Sequence, residues 1–478
     1  MVEKTFKKVA VLGAGVMGAQ IAGHLANAGI PSLCFDLNEE LANNGVDGLL
    51  KLKPKPLYKK SNIKLIERCT YDNDIARISE CDWVIEVIAE RLDWKHDLFK
   101  KVVPHLAKDA ILTSNTSGLA LELMSEVMPE DVKKRFFNTH FFNPPRYMKL
   151  VEIISSEKTD PKLVEKMVDF LENVLGKGVV YAKDTTNFIA NRIGVYGMMQ
   201  TIASAQKFGL SIEMVDKLTG SLIGRAKSAT FRTADVVGLD TLVHVANNSY
   251  ENCPNDEERE MFKIPKALQG LIDRGSLGSK TKEGFYKKVG KDILSLDFET
   301  LEYTPQVKKK LVGIKIAKGH SDLKERLRAI VAAEDVAGEF VWDIFSAALL
   351  YSANRMAEIA EDVANVDHAM RWGFGWELGP FEIWDALGFD YVCDRIEASG
   401  RKLPQWIKQM QADGKRGFYE KTAGIPSAYY ATDGFRKIEE KPGEINLAKF
   451  KAEGHEIYRN WCTSLIDIGD GVLVLEFH

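Results

Sequence analysis

Lys8-Val-Ala-Val-Leu12 runs straight into Gly13-Ala-Gly15-Val16-Met17-Gly18, which opens the helical stretch Ala19-Gln-Ile-Ala-Gly-His-Leu-Ala-Asn-Ala-Gly29. A β-branched run, a glycine turn and an apolar helix in direct succession spell strand, turn, helix. Each glycine has its own reason: the first allows the tight bend, the second lets backbone approach a pyrophosphate, the third lets helix and strand pack closely. The helix N-terminus then offers free N–H groups and partial positive charge to the phosphates. Such a glycine pattern alone matches many sequences by chance, so its context decides. A second strand runs from Ser32 to Phe35, and Asp36 stands 23 residues after Gly13, where a carboxylate accepts hydrogen bonds from an adenosine ribose. The same charge repels a 2′-phosphate, which favours NAD over NADP. The competing reading is a glycine turn followed by a surface aspartate.

Alternation continues outward: a helix from Glu39, strands near 68–71, 82–88 and 110–114, a helix over 93–104, and strands over 135–140 and 149–154. This predicts a Rossmann-type, mostly parallel, doubly wound α/β domain over residues 1–183. From Asp184 long helical patterns take over, with Thr185 or Thr186 as the expected cap. An all-α domain is predicted, and it is duplicated. Val215-Asp216, Gly224, Asp235, Asp240 and Gly284-Phe-Tyr286 recur as Val366-Asp367, Gly375, Asp385, Asp390 and Gly417-Phe-Tyr419. The expected boundaries are 184–290 for copy one, 291–335 for a charged connecting segment, 336–425 for copy two and 426–478 for a tail. Trp372, Trp376 and Trp384 in copy two read as packing.

Composition narrows the function. With 64 Lys+Arg against 68 Asp+Glu the formal net charge is −4, so no overall positive field exists to hold nucleic acid. The six cysteines are never in Cys-x-x-Cys spacing, which suggests neither a zinc site nor a disulfide framework and favours a reducing, cytoplasmic setting. No metal site is expected. No uninterrupted apolar stretch reaches the roughly 18 residues of a membrane span, and the N-terminus carries no signal-peptide core.

The candidate reaction centre is Asn138-Thr-His140-Phe-Phe-Asn143-Pro-Pro-Arg-Tyr-Met-Lys-Leu-Val-Glu152. If the chain doubles back about residue 146, His140 and Glu152 stand opposite one another. A carboxylate beside an imidazole fixes its tautomer and raises the basicity of its free nitrogen. For an arbitrary pair, a satisfied core histidine and a strand-edge acid would be the better reading; the position at the far end of a dinucleotide fold shifts the balance.

These stretches, with Val84-Ile-Glu-Val-Ile-Ala-Glu90, Leu112-Thr-Ser-Asn115-Thr-Ser117 and Asp184-Thr-Thr-Asn-Phe-Ile-Ala-Asn191-Arg, resemble the L-3-hydroxyacyl-CoA dehydrogenase family over nearly the whole chain. The resemblance implies oxidation of an L-3-hydroxyacyl-CoA to the 3-ketoacyl-CoA by NAD, as in fatty-acid β-oxidation. It makes His140 the catalytic base and Glu152 the acid that orients it. Ser117 and Asn191 match groups that hold the substrate hydroxyl or thioester carbonyl. Glu90 and Lys95 match nicotinamide-side and ribose contacts, and Asn115 and Asn143 line the cofactor pocket. The bland roles are a helix N-cap for Ser117, a buried helix residue for Asn191, and a surface acid and lysine for Glu90 and Lys95. Where relatives carry a helical hairpin that meets CoA, this chain has Lys51-Leu-Lys53-Pro54-Lys-Pro56-Leu-Tyr-Lys-Lys60, whose prolines prevent a continuous helix. Lys51 and Lys53 could meet CoA phosphates, although a solvated charge run is the commoner explanation.

Long members of the family carry a tandem helical copy that takes the place of a dimer partner, so oligomerisation stays open. Counting back from Asp367 as Asn191 precedes Asp216 reaches Trp342, so copy two lacks the substrate-side asparagine and reads as structural. Ser464 to His478 reads as strand, Gly-Asp-Gly turn, strand, similar to the opening of an enoyl-CoA hydratase domain. The chain is thus expected to be the dehydrogenase portion of a bifunctional protein, with the hydratase fused or separate. The alternatives are a dehydrogenase of a small 3-hydroxy acid without CoA, and a non-catalytic NAD-binding scaffold.

Overall fold

Eight strands form one sheet in the computed structural model, which describes residues 5–307, 310–422, 424–439 and 444–477. They are β1 (Val9–Leu12), β2 (Ser32–Asp36), β3 (Ile66–Thr70), β4 (Trp83–Glu86), β5 (Ile111–Ser114), β6 (Phe136–Phe141), β7 (Leu150–Ile154) and β8 (Gly178–Tyr181). Their order is β3-β2-β1-β4-β5-β6-β7-β8. Pairing from β3 through β6 is parallel, β7 is antiparallel to β6, and β8 is parallel to β7. Helices cover both faces, which is why β1, β4, β5, β6 and β7 are buried at every position. The order reverses between β1 and β4 and leaves a crevice at their carboxyl ends, the place where this fold class binds ligands. Strand β8 escaped the sequence pattern because four residues after Gly176-Lys177 offer too short a run to read.

The chain then crosses to the helical region, and here two expectations need correction. The crossing helix is Ala190–Lys207, and neither Thr185 nor Thr186 caps it: Ile189 holds the cap position without a side-chain cap bond. The region is also not purely helical. Three-stranded antiparallel sheets lie at 286–305, 419–437 and 456–477; the first two are short, charged hairpins whose polarity hid them, whereas the third contains the strand–turn–strand read from Ser464 onward. Within 291–335 two helices, Val312–Ala317 and Leu323–Val331, join the core of the copies through buried Ala317, Leu327, Ile330 and Val331.

The repeat has a physical basis. Asp216 accepts the backbone N–H of Phe231 at 2.7 Å and the Tyr286 hydroxyl at 2.8 Å, while Asp235 accepts the N–H groups of Phe285 and Tyr286. Copy two reproduces this bond for bond: Asp367 accepts from Phe381 N–H and the Tyr419 hydroxyl, and Asp385 from the N–H groups of Phe418 and Tyr419. Two buried aspartates therefore tie each Gly-Phe-Tyr strand to the start of a helix, which explains why those residue types recur.

The two copies meet where Ala190–Lys207 packs along the long helix Val336–Ile359, and one continuous apolar core spans both. Val336–Ile359 is apolar and long enough to cross a membrane by length and composition, yet 78% of its most apolar window is buried inside the protein. Copy two also covers the open edge of β8, where Tyr181 N–H donates to Asn365 Oδ1 at 2.8 Å. A Cβ on Gly178 would lie 2.4 Å from the Trp372 ring, and Trp384 is fully buried, so these tryptophans pack.

Candidate active site

The crevice begins at the glycine turn. Gly13 has φ +114°, and a Cβ there would meet Val87 O at 2.8 Å; on Gly18 it would lie 1.8 Å from Gly13 O. Gly15 is different: nothing lies within 4 Å of the position its Cβ would take. The protein itself does not require glycine there, so the open space suits close approach by a pyrophosphate. The first helix, Val16–Asn27, has no side-chain cap, and its leading N–H groups face the same opening. Val16 is exposed and Met17 half-buried beside them. Asp36, half-buried at the end of β2, accepts Ala14 N–H at 2.9 Å and Leu37 N–H at 2.8 Å. Those bonds aim its carboxylate at the turn and leave lone pairs for ribose hydroxyls. The residues present thus fit a dinucleotide.

At the far end of the crevice the β6–β7 pairing sets His140 directly opposite Glu152, as the symmetry about residue 146 predicts. Nδ1 of His140 lies 2.7 Å from Glu152 Oε2, and both side chains are buried. The other oxygen, Oε1, accepts the N–H groups of Ile189 at 3.2 Å and Ala190 at 2.8 Å. Glu152 therefore does what the threonines do not: it caps the crossing helix. One carboxylate aligns the imidazole and anchors the helical domain, and it complements the positive end of the helix. Because the carboxylate is acceptor-only, Nδ1 carries the proton and Nε2 is left basic. Phe142 and Phe188 flank the ring at centroid distances of 4.5 and 5.7 Å.

Phe188 reaches that place through an unusual backbone. Asn187 and Phe188 have φ of 63° and 47°, a region that costs a bulky residue about 1–2 kcal/mol. The buried Asn187 amide offsets this by donating to Val245 O and Ser249 Oγ and accepting from Asn248.

A second carboxylate network lines the middle of the crevice. Glu86, at the end of β4 and absent from the sequence reading, is fully buried and holds Lys95 Nζ at 2.7 Å from each oxygen. Lys95 is therefore committed to Glu86, with Glu90 at 3.6 Å, and is not free toward a ribose in this arrangement. A buried lysine within a helix starting at Leu92 gave no sign of this partner, since the acid lies nine residues back on a strand. Glu90 accepts Ser117 N–H at 2.9 Å, Gly118 N–H at 3.1 Å and the Thr116 hydroxyl. Burial opposes its charge, but Lys95, these donors and His140 hold its carboxyl below the ordinary range.

Ser117 lies in this loop, half-buried, its hydroxyl 3.3 Å from Glu90. It does not cap the following helix, which starts at Leu121 with Ala120 at the cap position; Asp184 accepts Leu121 N–H instead. Asn191 stands half-buried one residue beyond Ala190. Asn115 Oδ1 accepts Phe141 N–H at 2.8 Å, clamping β5 to β6, and the exposed Asn143 accepts from Gln20 at 3.2 Å. Lys51 and Lys53 are exposed in a non-helical segment. That segment docks on the β6–β7 turn, with Tyr147 donating its hydroxyl to Lys55 O. Among the described residues no cluster of three or more His, Cys, Asp or Glu could hold a metal ion.

A dinucleotide-type Rossmann domain followed by paired helical copies defines the class. Residues 8–185 match the family model described as "3-hydroxyacyl-CoA dehydrogenase, NAD binding domain". The model described as "3-hydroxyacyl-CoA dehydrogenase, C-terminal domain" matches twice, at 188–288 and 340–421. A Bacillus subtilis protein named "Probable 3-hydroxyacyl-CoA dehydrogenase" is 44% identical over 99% of this chain. The chain spans 63% of that relative's length. The human "Hydroxyacyl-coenzyme A dehydrogenase, mitochondrial" is 33% identical over 59% of this chain and 91% of its own. The crystal structure of 3-hydroxybutyryl-CoA dehydrogenase from Escherichia coli K12 superposes with a TM-score of 0.64, covering 85% of this chain and 98% of that one at 21% identity, a likeness of fold. The chain belongs to the 3-hydroxyacyl-CoA dehydrogenase family, whose cofactor is NAD.

Proposed function

We propose that this protein oxidises the 3-hydroxyl of an L-3-hydroxyacyl-CoA to the 3-ketone, a step of fatty-acid β-oxidation. The observation that carries this reading is the buried His140–Glu152 pair, tied by its second oxygen to the start of the helical domain. NAD, when bound, supplies the hydride acceptor; Gly13, Gly15, Val16, Met17 and Gly18 cradle its phosphates, Asp36 its adenosine ribose, and Glu90, Asn115 and Asn143 the nicotinamide side. Nε2 of His140 takes the hydroxyl proton while Glu152 keeps the opposite nitrogen protonated and offsets the charge that develops on the ring. Ser117 and Asn191 direct hydrogen bonds at the substrate oxygens, where carbonyl character grows. Lys51 and Lys53 are the cations offered to the CoA phosphates.

Copy two stands in for a dimer partner, supported by the shared core along Val336–Ile359. The tail sheet, with Trp461, Leu475 and Phe477 exposed, supports a fused or separate enoyl-CoA hydratase as neighbour. Six unpaired cysteines support a cytoplasmic setting. The test is reduction of acetoacetyl-CoA and of free acetoacetate, with NADH and NADPH in turn. Turnover of the thioester with NADH is expected; turnover of the free acid alone, or NADH binding without turnover, would overturn the reading.

A further inference from the structure

Copy two carries Trp342 where copy one carries Asn191, yet it reaches the substrate side of copy one through its long helix. Arg192, the residue after Asn191, donates from Nε to the Tyr351 hydroxyl at 2.6 Å and from Nη2 to Asp256 Oδ2 at 2.6 Å. Tyr351, on Val336–Ile359, closes the triangle by donating to the same Asp256 oxygen at 2.7 Å. The Arg192, Asp256 and Tyr351 side chains are buried. The Tyr351 ring also stacks on Tyr196, one turn along the crossing helix, at 3.8 Å and 7°. Arg355 and Glu358 follow on the same helix; Arg355 pairs with Glu257, and Glu358 lies 3.4 Å from Arg192.

Arg192, Asp256, Arg355 and Glu358 line an open cleft of about 430 Å³ whose lining also includes Gly118, next to Ser117; Tyr351 is not part of that lining and meets it only through Arg192 and Asp256. A buried ion pair is seldom repaid in stability alone, because desolvation offsets its Coulomb gain. Its place is informative: the first turn of the crossing helix is held by Glu152 at one end and by the triangle one residue beyond Asn191.

Building on the reading of Asn191 as a substrate-holding group, we propose that Tyr351 of the second copy is a positioning residue of the active site. By locking Arg192 it fixes where Asn191 points, so copy two contributes to turnover as well as to the shared core. The hydroxyl is the operative group, since the ring alone would keep the stack on Tyr196.

The test uses the full chain and oxidation of L-3-hydroxybutyryl-CoA by NAD, comparing wild type with Tyr351→Phe, Asp256→Asn, their double variant and Tyr419→Phe. The last removes a tyrosine–aspartate bond of similar length, Tyr419 to Asp367 at 2.6 Å, part-buried elsewhere in copy two. Tyr351→Phe should lower kcat/KM about tenfold, the scale of a small misplacement, with NADH affinity and the pH profile of kcat unchanged. The double variant should lose no more than the worse single one, and Tyr419→Phe should keep full activity. Hydrogen exchange over 187–195 gives a second readout: protection should drop in Tyr351→Phe and hold in Tyr419→Phe. Activity within twofold of wild type in Tyr351→Phe, or equal losses of activity or protection in the two tyrosine variants, would overturn the positioning role. Wild-type protein inert toward the thioester would instead sink the functional reading.

Discussion

Replacing Glu152 by glutamine tests the site at its most connected atom pair. The carboxylate serves three partners from full burial: His140 Nδ1 at 2.7 Å, Ile189 N–H at 3.2 Å and Ala190 N–H at 2.8 Å. A glutamine of the same length carries one acceptor oxygen and one donor nitrogen, so it cannot serve both sides as an acceptor. With its oxygen toward His140, its NH2 meets two backbone donors, at about 1–3 kcal/mol for each unsatisfied buried group. With its oxygen toward the helix, the NH2 donates to Nδ1 and forces the imidazole proton onto Nε2. The second orientation leaves fewer orphaned groups and is the expected one. Its tautomer has no lone pair to take the substrate proton, so kcat should fall by about 10²–10⁴. Loss of charge assistance at the helix cap should cost about 1–2 kcal/mol of stability. The assay is NADH appearance from L-3-hydroxybutyryl-CoA, with NAD affinity and thermal unfolding measured on the same sample. A kcat within threefold of wild type at unchanged stability would refute the dual role, and equal losses of NAD affinity and kcat would point to a folding defect.

Three further outcomes are expected. Asp36→Ala should weaken NAD and relax rejection of NADP, because the carboxylate aimed at the turn is what repels a 2′-phosphate; unchanged cofactor choice in paired titrations would count against the ribose assignment. Gly18→Ala should destabilise the domain and weaken NADH binding, since its Cβ would sit 1.8 Å from a backbone oxygen that has nowhere to go; an unaltered dissociation constant would contradict this. His24 is pushed down to about 3, by burial first and then by the ammonium of Lys177, while Nε2 bonds Leu175 O at 3.1 Å. The unfolded chain binds that proton near 6.5, so the contribution is intact above about 6.5 and is lost as pH falls toward 3, by up to about 1.4 kcal/mol per unit. His24→Gln should flatten the slope of unfolding free energy against pH between about 4 and 6, and a slope equal to wild type would disprove it.

The parts of this molecule that follow from local pattern were readable in advance. The glycine turn, the Asp36 spacing and the opposition of His140 and Glu152 depend on short-range spacing or on symmetry within a hairpin, and the doubled aspartate motif shows itself by repetition of the same residue types in the same order. What was hidden depends on partners distant in sequence. Lys95 reads as a solvated lysine on a helix until β4 brings Glu86 beneath it. Thr185 and Thr186 have the composition of helix caps, but Glu152, a carboxylate 37 residues before Ile189, takes that task from the sheet. Strand β8 and the charged hairpins at 286–305 and 419–437 are too short or too polar for alternation to reveal. Asn187 and Phe188, neither of them glycine, hold left-handed backbone, and only the finished packing against His140 makes that affordable.

The arrangement explains why the sheet and the helical domain cannot be assigned separate tasks. An imidazole that is to act as a base needs a partner that fixes its tautomer, and a helix N-terminus needs its free N–H donors satisfied. Two side chains could meet these needs independently, and the site would then tolerate small shifts between the domains. Here one carboxylate meets both, with its two oxygens facing opposite ways. Any displacement of the Ala190–Lys207 helix that lengthens the bond to Ala190 must either rotate the carboxylate away from His140 or leave a backbone donor unpaired in the interior. On the proposed function, His140 would therefore be best aligned only when Asn191 is also in place, and the positioning role proposed for Tyr351 would extend that dependence to the second copy.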